Sequence, residues 1–111
     1  HALEAFKVAR EIAANGSGIA TFSDWWAYKV EAYEAVPSNA ALLLEAGAQA
    51  SIKSDSDELV RQMYHEAAKS VGYAAMDPVA ALRLVTLNPA QQLGVADRVG
   101  SLEAGKDADL V

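Results

Sequence analysis

Cysteine is absent from the sequence, which excludes disulfides, thiolate metal sites and a cysteine nucleophile, and confines any metal to nitrogen and oxygen donors. Positive charge is scarce. Nine Lys and Arg stand against fifteen Asp and Glu, and the net charge of -6 leaves no basic patch to attract a phosphate backbone, so no nucleic-acid partner is expected. Long apolar runs are missing too: the longest span a few residues, against the ~20 that cross a bilayer, and no basic start leads into an apolar stretch of signal-peptide type. No membrane partner is expected either. What is present is ordinary for a folded domain, with 52% apolar and 22% charged residues in 111, enough for one core.

The chain opens on His1 directly before a helical pattern. Leu3, Phe6, Ala9, Ile12 and Ala13 recur at turn spacing from about Ala2 to Asn15, with Gly16 as the stop. Gly18-Ile19-Ala20-Thr21-Phe22 is a β-branched and aromatic run that predicts a buried strand feeding the polar Ser23-Asp24. An aromatic connection with Trp25, Trp26, Tyr28 and Tyr33 follows, and Pro37-Ser38-Asn39 supplies a break and capping groups before a helix over Ala40 to Ala46, closed by Gly47. Gln49 to Lys53 is a second strand candidate, ending in the acidic, hydroxyl-rich Ser54-Asp55-Ser56-Asp57. From Asp57 to about Val71 the stripe Leu59, Met63, Ala67, Val71 predicts the strongest helix, and Asp77-Pro78 and Asn88-Pro89 each read as a cap plus first-turn proline opening a further one. Arg98 to Leu102 and Ala108 to Val111 read as strands around the turn residues Glu103 to Asp107. The order is α/β with a period of about 30 residues, which implies parallel strands joined by right-handed crossovers. Two interior strands cannot close a sheet and both ends of the chain fall inside a pattern, so a piece of a longer fold, with edges that could self-associate, is the expectation.

In α/β barrels reactive groups gather where strands end and the following loops begin. Asp55 occupies such a position, and His1 would occupy the equivalent one if a strand preceded it. Imidazole nitrogen and carboxylate oxygen both suit Zn²⁺. Read without further support, a terminal histidine is ordinarily incidental and an aspartate before a helix is ordinarily its cap. Trp25 and Trp26 could wall a substrate pocket or simply pack, and Asp24 could contact substrate or cap the next segment. His65 falls opposite the apolar stripe of its helix, where a solvated side chain is expected, and no His/Asp set supports Ser23, Ser54 or Ser56 as a nucleophile.

The tail carries a resemblance. Asn88-Pro89-Ala90, Leu93-Gly94 and the run from Arg98 through Gly105-Lys106-Asp107-Ala108-Asp109-Leu110-Val111 resemble the C-terminal signature of the amidohydrolase superfamily. Ser54-Asp55-Ser56-Asp57-Glu58 through Glu66-Ala67-Ala68-Lys69, and Thr21 through Lys29, look like its imidazolonepropionase-related, prolidase-like branch. The resemblance implies a TIM-type (β/α)8 barrel holding one or two divalent metals, usually zinc, of which this chain would be the C-terminal portion. Residues 1–95 would be its last βα units and following helices, and residues 96–111 the start of a small β-sandwich. His1 would be the last metal-binding histidine and Asp55 the metal-binding and catalytic aspartate, with Asp24, Trp25 and Trp26 beside a small amide or dipeptide-like substrate. The family's HxH pair, bridging residue and other histidine are not in this sequence, so the segment alone is expected to be inactive. Lys53 departs from the smaller residue expected beside the aspartate, because an ammonium opposes a bound cation. The rival expectation is a non-catalytic helical module that packs with a partner or a second copy.

Overall fold

The computed structural model describes residues 2–109. Two strands, β1 (Gly18–Thr21) and β2 (Gln49–Ile52), pair in parallel with Gly18 opposite Gln49 and Thr21 opposite Ile52. A 3₁₀ turn, Ala5–Val8, runs into α1 (Ala9–Asn15) ahead of β1, and α2 (Asn39–Glu45) forms the crossover that a parallel pair requires. A second 3₁₀ turn, Val30–Ala32, lies between β1 and α2, and after β2 come a third, Leu59–Gln62, then α3 (Met63–Ala74), α4 (Pro78–Arg83) and α5 (Leu87–Gln92). The expected α/β order is therefore present. No helix among the described residues is long and apolar enough to cross a membrane.

The core is built largely from alanine. Ala5, Ala9, Ala40, Leu43, Ala48, Ala50, Ile52 and Leu84 are buried together, with Ile12, Ile19, Met63 and Met76 packed around them. Small side chains let α2 approach β2 closely, and β2 is covered on both faces, with Ala50, Ser51 and Ile52 all buried. Double-sided burial also removes the polar alternation that marks a half-exposed strand, which is why this run is less distinctive in sequence. The end of α4 completes β2, since the Ile52 N–H donates to the Leu84 carbonyl at 2.9 Å.

Asn39, expected as a capping group, is instead a buried hub. Its Oδ1 accepts from the Phe6 N–H at 2.9 Å, and its Nδ2 donates to the Ala2 carbonyl at 2.8 Å, the Leu3 carbonyl at 3.1 Å and Thr21 Oγ1 at 2.8 Å. It ties the segment before α1 to the end of β1. Asn88 also departs from its expected role. It is the second residue of α5, and its amide donates to the Ala50 carbonyl at 2.7 Å, while Gln92 one turn later donates to Gln49 and Ile19 carbonyls at 2.7 and 3.2 Å. Both amides satisfy strand carbonyls, a stronger demand than a helix end exposed to water. Gly18 belongs to this contact, because a Cβ there would lie 2.9 Å from Gln92 Cγ. Asp77 does cap, accepting the Ala80 N–H at 2.9 Å ahead of Pro78.

The tail differs from expectation. Arg98 to Ser101 is turn and bend rather than strand, and Leu102, Ala108 and Asp109 are not in a strand; Leu110 and Val111 lie outside the described residues. A strand needs a partner ladder, and here one backbone bond, Asp107 N–H to the Arg98 carbonyl at 2.8 Å, and an Arg98–Asp107 ion pair at 2.7 Å close the loop on itself. Gly100, at φ 91°, folds the tail onto α5 where a Cβ would come within 2.7 Å of Ala90 Cβ.

Candidate active site

Parallel pairing sends both strands out at one edge of the sheet. The Lys53 N–H donates to the Thr21 carbonyl at 2.9 Å, so the ladder continues one step past β2. Asp24 lies three residues beyond Thr21 and Asp55 three beyond its partner Ile52, so the two carboxylates follow their strands at the same register. They define the rim on which the expected site residues sit. Asp24 and Asp55 are thus brought to one edge. His1 lies outside the described residues, and with it the expected His1–Asp55 pairing.

Asp55 is in the irregular segment between β2 and the following 3₁₀ turn, not within a helix. It is not that turn's cap: Ser56 Oγ accepts from the Glu58 and Leu59 N–H groups at 3.2 and 3.3 Å, and Ser54 Oγ accepts from the Ser56 N–H at 3.1 Å. The serines hold the loop, which leaves the aspartate side chain at the rim with 41% exposure. Lys53 Nζ donates to Asp55 Oδ1 at 3.1 Å and lies 4.8 Å from the centre of the Phe22 ring. The unexpected lysine therefore sits between the carboxylate and an aromatic face, a cation-attracting pair of surfaces.

The aromatics divide. Trp25 stacks on Phe22, with ring centres 4.1 Å apart and planes 8° from parallel, and meets Tyr28 edge-on at 5.7 Å. A turn closed by the Tyr28 N–H to the Trp25 carbonyl, with Ala27 at φ 55°, shapes this loop. Trp25 thus faces the stack, whereas Trp26 is 56% exposed. His65 is exposed, as its place opposite the apolar stripe implies, and contacts Gln62 at 3.1 Å.

Asp24 pairs with Lys69 of α3 at 2.9 Å, and Lys69 pairs with Glu66 at 2.7 Å. Glu66 also accepts a hydrogen bond from the Ser23 hydroxyl. Burial alone would lower the Lys69 pKa, but its hydrogen bonds and charge contacts with Glu66 and Asp24 together hold it above the ordinary lysine value. Sequence reasoning flagged Lys53 but missed Lys69 and Glu66. The only available signal was position: Glu66 and Ser70 flank Ala67 on the buried face of α3, next to the apolar stripe rather than opposite it.

Among the described residues no three His, Cys, Asp or Glu side chains cluster as a metal-holding group. Asp55 fits as one oxygen donor to a divalent cation and does not make a site by itself. A groove of about 610 Å³ lies between α4, α5 and the tail, lined by Leu82, Thr86, Leu93 and Val99, and none of the rim residues lines it.

Residues 16–111 match the profile of the Amidohydrolase family. The chain is 40% identical over 94 residues to Amidohydrolase tasK of Hapsidospora irregularis, an alignment covering 84% of this chain and 10% of that protein. It is 36% identical over 84 residues to an imidazolonepropionase of Thermoplasma acidophilum, covering 70% of this chain and 19% of that one. The crystal structure of an amidohydrolase from Thermotoga maritima MSB8 superposes with a TM-score of 0.83 at 30% identity, over 98% of this chain and 29% of that one. The chain thus spans 10% to 19% of these curated relatives.

Proposed function

This chain belongs to the amidohydrolase family, and we propose that it forms the C-terminal part of a metal-dependent hydrolase that cleaves an amide or related C–N bond. In this reading residues 1–95 contribute the last βα units of a (β/α)8 barrel and residues 96–111 begin its small β-sandwich. The proposed substrate is a small cyclic amide or dipeptide-like molecule, and the imidazolonepropionase likeness supports a small-molecule substrate.

One observation supports the reading: Asp55 stands at the C-terminal edge of the parallel strands, in a loop whose backbone Ser54 and Ser56 hold. The proposed role of Asp55 is double, as an oxygen ligand and as the base that takes a proton from the attacking water and returns it to the leaving nitrogen. His1 is the proposed second ligand. The metal, proposed to be zinc, supplies a lowered water pKa when bound. Phe22 and Trp25 present an apolar wall beside Asp55, and Lys53 places a positive charge between them. Trp26 and Asp24 complete the proposed substrate side of the rim.

The test is turnover of a panel of dipeptides and cyclic amides by the full-length polypeptide, before and after chelation. Activity should vanish with chelation and return with Zn²⁺, while the 111-residue segment alone should hydrolyse nothing measurable. Undiminished turnover after chelation would refute the metal-dependent reading.

A further inference from the structure

A carboxylate buried in a helix is costly unless its charge is matched. Glu66, in the first turn of α3, is only 3% exposed. Both its oxygens are occupied, one by the buried Ser23 hydroxyl and the other by Lys69 at 2.7 Å, and Lys69 reaches on to Asp24 at 2.9 Å. One helix therefore grips two consecutive residues of the loop after β1. Trp25, next in the chain, stacks on Phe22 immediately before the gripped pair.

We propose that Glu66 is a positioning residue, which through Ser23 and Lys69 fixes the rim loop carrying Trp25 and keeps Asp24 engaged with α3. The two rim carboxylates then differ in a defined way. Asp24 pairs with a lysine anchored by a second, buried carboxylate, whereas Asp55 pairs with Lys53, whose other neighbour is the face of Phe22. Glu66 thereby holds Asp24 in its ion pair with Lys69 and leaves the proton transfer to Asp55. That last step rests on the function proposed above; the grip itself does not.

Hydrogen exchange followed by mass spectrometry on the full-length polypeptide tests the grip without any substrate. In Glu66→Gln and Lys69→Met, exchange over residues 22–29 should accelerate by about tenfold or more, with Gln49–Ile52 unchanged. Lys69→Met strands the buried Glu66 charge, so the double variant Glu66→Gln/Lys69→Met should recover part of the lost protection, as coupled charges do and simple packing does not. If either single variant fails to fold, Ser23→Ala, which removes only a hydroxyl, should still loosen residues 22–29. In turnover of a dipeptide that the wild type hydrolyses, KM should rise about tenfold with kcat held within about threefold, the split expected of a wall and not of a proton carrier. Unchanged exchange over residues 22–29 in folded variants, or a double variant no better than Lys69→Met, would overturn the proposal. A wild type that hydrolyses no dipeptide would count against the proposed function, and the exchange measurements would still decide the grip.

Discussion

Asn39 offers a sharp stability test, because its two substitutions should rank against simple size intuition. Alanine removes four hydrogen bonds at a side chain that is 1% exposed. Phe6, Ala2 and Leu3 are half-buried and can recover some water, whereas Thr21 Oγ1 is buried and keeps only its contact to the Phe22 carbonyl at 3.2 Å. At roughly 0.5 kcal/mol for each recoverable bond and 1–2 for the buried one, Asn39→Ala should cost about 3 kcal/mol. Aspartate has the same shape and keeps the acceptor for Phe6, but at a side chain 1% exposed it turns a second oxygen toward the Ala2 and Leu3 carbonyls. Asn39→Asp should therefore cost about 4–5 kcal/mol at neutral pH. Burial among acceptors raises that carboxyl's folded pKa above its unfolded one, so its penalty is full above the folded pKa and shrinks as pH falls through it. Urea unfolding of the full-length polypeptide followed by circular dichroism reads both effects. An Asn39→Asp variant as stable as Asn39→Ala at neutral pH would refute the hub as drawn.

Two further predictions use the same assay. Gly100→Ala should destabilise by about 2–4 kcal/mol, since φ is 91° and the new Cβ would meet Ala90 Cβ at 2.7 Å; a change under about 0.5 kcal/mol would mean the tail does not pack on α5 this way. Lys69 has a raised folded pKa, so its contribution is fully present below the unfolded value of about 10.4 and is lost as pH rises through the folded one. The urea midpoint of wild type should accordingly fall more steeply above about pH 10.4 than that of Lys69→Met, and parallel curves would contradict the ion-pair assignment.

Strand positions were legible because local pattern and burial agree, whereas the helix expected from Asp57 to Val71 opens as the 3₁₀ turn Leu59–Gln62 and is α-helical only over Met63–Ala74. Gly18 to Phe22 and Gln49 to Lys53 each exceed the observed strands by one residue, and Asp77-Pro78 announced α4 through a cap that needs no distant partner. Legibility ended where a side chain serves a partner far along the chain. Glu66 bonds Ser23 across 43 residues and Asn39 bonds Ala2 across 37, and neither distance leaves a periodic trace. Asn88 carries the local signature of a cap, yet a strand carbonyl claims its amide. The tail had strand-like composition, but composition does not supply the neighbouring ladder that a strand requires. For the rim, Asp55 was found from its place after a strand and from family likeness, while its partner Lys53 was recognised as unusual without any indication of where its ammonium rests.

The most direct test of the central claim compares Asp55→Asn with Asp24→Asn in the full-length polypeptide, measuring metal-dependent hydrolysis at matched folding. Removing a proton-transfer group costs about 10²–10⁴ in rate, so Asp55→Asn should lose at least about a hundredfold, and more if it is also a ligand. Asp24→Asn, which weakens contacts to Lys69 and Ser23 and a proposed substrate contact but removes no proton carrier, should raise KM while kcat stays within about tenfold of wild type. Equal losses in the two variants, or an Asp55→Asn enzyme that still turns over, would contradict the assignment of Asp55.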